Sequence, residues 1–373
     1  MKGSDQLVYW MAIAHLPRWR NLRINELVVH MYNRNMSLSD FFDLEESDWS
    51  EEFNLNSKEI ADINNAKNEL PNSAFIVEDL LDQNFELIPI VSDKYSQTLK
   101  DNLKTRYSPP LLYVKGNRDL LNEECISVVG SRDASDISLD FTKNIVRKSV
   151  EKSQVIVSGF AKGVDRLALD EAISNKGMSI IVLPQGIMTF ASGIKRYYAQ
   201  IVEGDALIVS TFHPKAPWSV GLAMARNVYI YGLSDKIYVA ESGTKGGTWS
   251  GVIDGLKKER EIYIRKPGKD EKNGNSLLIL KGAKPLDIHG NIEIENSSDN
   301  FEEKIKKILK IPLSASEIKE KINLDISVRQ VSNMLSELEF IVSEKRKGRK
   351  IFMLKSEEVS QIELPFELFD DKY

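Results

Sequence analysis

The stretch that decides the fold is Cys125-Ile126-Ser127-Val128-Val129-Gly130-Ser131-Arg132, joined about thirty residues later by Val155-Ile156-Val157-Ser158-Gly159-Phe160-Ala161-Lys162-Gly163-Val164-Asp165. Each opens on a short apolar, β-branched run of the kind found in buried parallel strands. Each then breaks at small residues and leads into a helical pattern. Such a break leaves backbone N–H groups free at a helix N-terminus, where the helix dipole favours phosphate. Gly130 lets a ligand approach the main chain, and Arg132 offers a planar guanidinium that matches a pair of phosphate oxygens. In the second turn Gly159, Ala161 and Gly163 keep the loop thin, and Asp165 is expected to cap the following helix.

Outward from these turns the alternation is regular. Strands are expected at 125–129, 155–157, 179–183, 206–210, 236–240 and 261–264, with helices such as 137–152 and 165–175 between them. That order predicts an α/β, Rossmann-like, doubly wound parallel sheet. In such sheets ligands bind beyond the carboxyl ends of the strands, so the turns after Val129, Val157, Leu183, Ser210 and Ala240 should line one crevice. The turn Glu241-Ser242-Gly243-Thr244-Lys245-Gly246-Gly247-Thr248 has the glycines of an anion-binding nest. Arg226 and Asn227 precede the strand at 236, and Lys195 and Arg196 add positive charge after the strand at 179. The G-x-G-x-x-G dinucleotide fingerprint is missing, because Gly130 has no second and third glycine after it.

Residues 1–75 read as a small helical domain, with helices at 7–14, 23–33 and 58–70 and an acidic loop around 43–52. Two strand-like stretches follow, 85–90 and 111–114, and the Rossmann-like domain is expected to fill 76–292, with 276–280 as a further strand. A polar linker, 293–300, leads to helical patterns at 301–310, 314–322 and 327–339. Strand-like segments at 340–344 and 350–354, joined by Lys345-Arg346-Lys347-Gly348-Arg349, make 301–354 a predicted winged helix. Its DNA contacts would come from Arg329, Gln330 and Asn333 on the recognition helix and from Lys345, Arg346, Lys347 and Arg349 on the wing. Residues 355–373 form an acidic tail.

The chain of 373 residues has a net charge of −5, so a polyanion must be gripped by local clusters rather than by an overall field. Segment 1–75 carries 7 basic and 12 acidic residues, 301–354 carries 12 and 8, and the tail 2 and 6. No apolar run reaches the ~18 residues of a membrane helix, and no signal peptide is evident. The single cysteine, Cys125, excludes a disulfide scaffold and fits a reducing cytoplasm. His15, His30, His213 and His289 are scattered, with no metal-ligand spacing and no partners for a catalytic triad. No cofactor and no catalytic group is expected.

The motifs, taken in order, resemble the DNA-processing protein A (DprA/Smf) family, which shares a superfamily with the Lonely-Guy enzymes. The resemblance runs from Tyr107-Ser108-Pro109-Pro110-Leu111-Leu112-Tyr113-Val114-Lys115-Gly116-Asn117 through the two turns above. It continues at Arg226-Asn227, Gly232-Leu233-Ser234-Asp235, Gly246-Gly247-Thr248, Asn275-Ser276-Leu277-Leu278 and Gly282-Ala283. The helical N-terminal segment, of the SAM or helix-hairpin-helix kind, and the winged helix extend it over nearly the whole chain. The resemblance implies a dimeric, non-catalytic protein that binds single-stranded DNA and loads a RecA-type recombinase in DNA uptake or recombination. It assigns DNA or phosphate contact to Gly130, Ser131, Arg132, Gly159, Lys162, Gly163, Lys195, Arg226, Asn227, Gly246, Gly247 and Thr248. Phe160 and Phe190 are then expected to stack on bases.

The chain departs from the family pattern at Leu169, Val228, Phe190-Ala191 and Ser210-Thr211. These departures leave room for a diverged paralogue, a nucleotide- or DNA-sensing regulator in phage defence or on a mobile element. The hydrolase reading that the Lonely-Guy enzymes suggest requires a glutamate where this chain has Gly251, and without it no general acid or base is present. Finally, Gln361-Ile362-Glu363-Leu364-Pro365-Phe366 resembles the bacterial sliding-clamp-binding hexapeptide, with Gln361, Leu364 and Phe366 as anchors.

Overall fold

A computed structural model describes residues 3–268, 271–292, 301–322, 327–336, 338–346 and 348–355. The chain divides into two compact units, Met1–Ile294 and Glu295–Tyr373.

The first unit begins with six helices, Gly3–Ala14, Asn21–Asn33, Leu38–Asp43, Glu46–Phe53, Ser57–Asn68 and Leu70–Asp82. Short polar residues set their starts. The Ser37 hydroxyl accepts from the Asp40 amide and the Asn56 side chain from the Glu59 amide, each closed by a reciprocal carboxylate. The acidic stretch expected as a loop is in fact the helix Glu46–Phe53, because Trp49 and Phe53, one turn apart, bury an apolar stripe under its charged face. The last helix runs through residue 75, where a domain boundary was expected. Asn25 fixes this layer to the following segment by donating to the carbonyls of Thr105, Arg106 and Ser108.

Nine strands follow: β1 (Glu86–Pro89), β2 (Leu111–Gly116), β3 (Cys125–Val129), β4 (Val155–Ser158), β5 (Ser179–Val182), β6 (Ala206–Ser210), β7 (Lys236–Val239), β8 (Glu261–Arg265) and β9 (Lys284–Leu286). They form one sheet in the order β1-β2-β6-β5-β4-β3-β7-β8-β9. Strands β3 to β9 pair in parallel, and β2 joins β1 and β6 antiparallel. The central strands β3 to β6 are buried along their length, as β-branched runs covered on both faces must be. The stretch 276–280 is a helix, Asn275–Leu280, instead of the expected strand. Its four apolar residues fit either structure by pattern, and Leu277 and Leu278 are buried from the helix.

Chain order reverses at β3. The path steps outward through β4, β5 and β6, then returns to lay β7 on the other flank of β3. The turns after β3 and β7 therefore part from each other at the carboxyl edge, opening a crevice at the switch point.

The second unit holds helices Phe301–Ile308, Ala315–Lys321 and Val328–Ser336 with a three-stranded antiparallel sheet, β10 (Leu313–Ser314), β12 (Arg349–Leu354) and β11 (Ile341–Arg346), in that order. Ile305, Leu309, Ile318, Val331, Leu335 and Phe352 make its core. Gly348, at φ +78°, supplies the left-handed residue that a tight β11–β12 hairpin needs. Among the described residues no helix is long and apolar enough to cross a membrane.

Candidate nucleic-acid interface

A crevice of about 450 Å³ opens at the switch point, lined by the turns after β3 and β7 and by the helix Val220–Gly232. Three contacts hold it in shape. Gly163 starts the helix Val164–Ser174 at φ +85°, and a Cβ there would lie 2.4 Å from the Ser131 carbonyl oxygen. Only glycine lets the turn after β4 press against the turn after β3. The Thr248 hydroxyl donates to the Gly130 carbonyl at 3.1 Å, and the Ser131 amide donates to the Glu241 carbonyl at 2.9 Å, tying β3 to β7. The Glu241 carboxylate, in turn, accepts from the Ser135 amide at 3.0 Å and from the Ser135 and Ser138 hydroxyls at 2.7 Å each.

A second set of bonds supports the glycine-rich turn from below. Asn275 accepts from the Ser242 amide and donates to the carbonyls of Ala240 and Arg265. Arg265, 2% exposed, forks onto the Glu271 carboxylate and also donates to Ser138 Oγ and the Ala240 carbonyl. A rigid scaffold thus presents the Gly246 and Gly247 amides at the start of the helix Gly247–Lys257.

The residues named from the sequence separate into two groups. Arg132 is exposed at the crevice and makes no hydrogen bond among the described residues. Gly130, Ser131, Asn227, Gly246, Gly247 and Thr248 line the same space. Lys162 stands exposed in the turn after β4, where it pairs with Asp133 at 2.8 Å and holds that carboxyl below its usual range. Such an exposed pair contributes little and yields easily to a competing phosphate. Lys195 is exposed on the short helix Ala191–Arg196 and does not line the crevice.

Arg226 has a different environment. It is 3% exposed in the crevice floor, donates from Nη1 to the Val182 carbonyl at 2.8 Å, and leaves Nε buried without a partner. Its guanidinium lies against Gly159, where a Cβ would fall 1.7 Å from Nη1. Burial pushes the pKa of Arg226 down and that of nearby Asp165 up. Arg226, Arg132 and the Gly130 and Gly159 amides act on Asp165 in the opposite sense. Asp165 lies inside the helix whose N-cap is Gly163, so it is a floor residue rather than the expected cap.

The expected base-stacking pair is not available as such. Phe190 is 5% exposed and packs edge-on against Phe160, which also meets Tyr197 and lies under the Arg166 guanidinium. Among the crevice residues that the sequence reading did not assign are Lys245, exposed in the glycine-rich turn, Val220, Met224 and Tyr231. The lysine was recognisable in its turn, whereas the helix that brings Met224 and Tyr231 there carries no motif at those positions. A side chain at Gly251 would meet the Tyr231 ring at 2.3 Å, so the place of the Lonely-Guy glutamate is filled by a tyrosine.

In the second unit Arg329, Asn333, Lys345, Arg346, Arg349 and Lys350 are exposed. Arg346 is engaged by Glu344, and Lys350 donates to Ser336 Oγ at 2.8 Å. The side chain of Gln330, and Lys347, Gln361, Leu364 and Phe366 altogether, lie outside the described residues.

The family model for DNA recombination-mediator protein A matches residues 86–295. The DNA processing protein DprA of Streptococcus pneumoniae is 30% identical over 205 residues, 54% of this chain and 71% of the relative. Protein Smf of Escherichia coli is 30% identical over 206 residues, 54% of each chain. In three dimensions the X-ray structure of the Streptococcus pneumoniae DprA superposes with a TM-score of 0.63 at 23% identity, covering 79% of this chain and all of that one, which establishes a shared fold. With the crevice of β3 and β7 built from residues inside the matched span, the chain belongs to the DNA recombination-mediator protein A family.

Proposed function

We propose that this protein binds single-stranded DNA without cleaving it, using the crevice at the carboxyl ends of β3 and β7. The observation that carries this is the convergence, in one crevice, of exposed Arg132 and Lys245 with the Gly246-Gly247 backbone at the start of a helix. Backbone amides and cations set at one edge suit a phosphodiester chain, and the dipole of the Gly247–Lys257 helix adds to their attraction. Lys162 and Lys195, exposed outside the crevice, would extend the track along the strand. Arg226 contributes as the floor under the turns, a buried cation that keeps Gly159 and β5 in place. Membership of a recombination-mediator family supports a further step, transfer of the bound strand to a RecA-type recombinase by a dimer in the cytoplasm. The order of helices and strands in the second unit supports a winged helix, with Arg329, Asn333 and Lys345 as an auxiliary DNA contact.

The test is a titration of labelled single-stranded and duplex oligonucleotides of equal length with the full chain. Tighter binding of the single strand, weakened by Arg132→Ala and by Lys245→Ala, is expected. Equal affinity for both forms, or unchanged affinity in both variants, would overturn the reading.

A further inference from the structure

Beside its cationic turns the crevice has an apolar wall that water still covers. The helix Val220–Gly232 turns Val220 and Met224 to the crevice mouth, 66% and 43% exposed, and Trp218, two residues upstream, is 50% exposed. Val220 and Met224 line the crevice, and Trp218 stands next to Val220 in the segment that leads into the helix; exposed large apolar side chains grouped in this way mark binding surfaces. Its exposure does not come from a slack loop. The Ala216 amide donates to the His213 carbonyl at 2.8 Å, and the Ala216 carbonyl accepts from the Gly186 amide at 2.9 Å and from the Thr189 hydroxyl at 3.2 Å. On the other side of Trp218, Ser219 Oγ accepts from the Leu222 amide at 3.1 Å. The backbone that carries Trp218 is thus anchored on both sides, and its indole is half exposed.

We infer that Trp218, Val220 and Met224 form a ledge on which the bases of a bound single strand stack while Arg132 and Lys245 hold its phosphates. The inference rests on the single-strand reading above and adds the side of the nucleotide that reading leaves unassigned. A nucleotide has one charged end and one apolar face, and this crevice has one cationic, amide-rich wall and one apolar wall. An indole presents a broad π-face to any base, and the Met224 thioether adapts to the ring beside it. Such a ledge favours single strands over duplexes, whose bases are already stacked, and it is indifferent to sequence. Of the two aromatic residues expected in this role, Phe190 is buried in the core and Phe160 is half-buried against it.

The experiment compares a thymidine oligonucleotide with an abasic one of equal phosphate number, each titrated against the full chain and its Trp218→Ala and Trp218→Phe variants over a salt series. For wild type, the abasic strand should bind about five-fold to 150-fold more weakly, the range that stacking gives per base. Trp218→Ala should weaken the thymidine strand by a similar factor, leave the abasic strand nearly unaffected and keep the salt slope, whereas Trp218→Phe should recover most of the affinity. If wild type binds the thymidine strand but Trp218→Ala binds it equally well, the ledge is refuted and the phosphate reading stands. The ledge is equally refuted if Trp218→Ala changes only the oligomeric state, which would make the patch a contact between copies of the chain. Failure of wild type to bind either strand overturns both readings.

Discussion

Gly159→Ala tests the packing under the crevice. The added Cβ would lie 1.7 Å from Arg226 Nη1 and 2.2 Å from its Cζ, so the guanidinium must leave its seat. The backbone of Gly159 is not left-handed, so alanine is compatible with the main-chain conformation, and the nearest conflict is with the Arg226 guanidinium. The displaced arginine gives up its bond to the Val182 carbonyl, a hydrogen bond from a charged donor of about 1.5–3 kcal/mol. Alanine also restricts the unfolded chain, which returns about 0.4–1 kcal/mol. The net expectation is a loss of about 0.5–2.5 kcal/mol, read by urea unfolding. The decisive comparison is the same substitution in an Arg226→Ala background. With the conflicting group gone, Gly159→Ala should be neutral there or stabilise by up to about 1 kcal/mol. An equal loss in both backgrounds would show that Gly159 is required for something other than Arg226.

Two further outcomes follow from buried groups. His15 donates to or accepts from the Tyr113 hydroxyl at 2.8 Å, and burial, with His213 beside it, lowers its pKa from 6.5 to about 3. The unfolded chain therefore binds a proton that the folded chain does not, and stability should fall as pH drops below the unfolded value. From pH 7 to pH 5 the loss from this residue is about 2 kcal/mol, and His15→Gln should flatten that slope in urea unfolding at several pH values. A pH profile unchanged by the variant would contradict a neutral buried His15. Burial pushes the Cys125 thiol up to about 12, so the native protein should not react with a thiol reagent at about pH 8 until denaturant is added. Rapid labelling of native protein would contradict that burial.

The central sheet was legible because its strands are buried on both faces and so are spelled as short apolar runs rich in β-branched residues, of which 125–129 and 206–210 are examples. Where burial is one-sided or the run is short, the pattern loses its discrimination. Residues 276–280 fit a strand by composition, yet they form a helix that buries Leu277 and Leu278. The helix Glu46–Phe53 was hidden by its charges, since only Trp49 and Phe53 face inward. At the crevice, the glycines and Arg132 were legible from local sequence, as turns are. The burial of Arg226 was not, because it depends on Gly159 and Val182, residues far away in sequence that only the sheet brings beneath it. The pairing of His15 with Tyr113, 98 residues apart, is of the same kind.

The most direct measurement is the salt dependence of single-strand binding, by anisotropy of a labelled thymidine oligonucleotide between about 50 and 200 mM salt. Three to four phosphates held by Arg132, Lys245 and their neighbours predict a slope of log K against log salt between about −2 and −3, at about 0.7 per phosphate. Arg132→Ala should make that slope shallower by about 0.7 and weaken binding throughout. A wild-type slope near zero, or a slope that Arg132→Ala leaves unchanged, would contradict a phosphate-gripping crevice at the ends of β3 and β7.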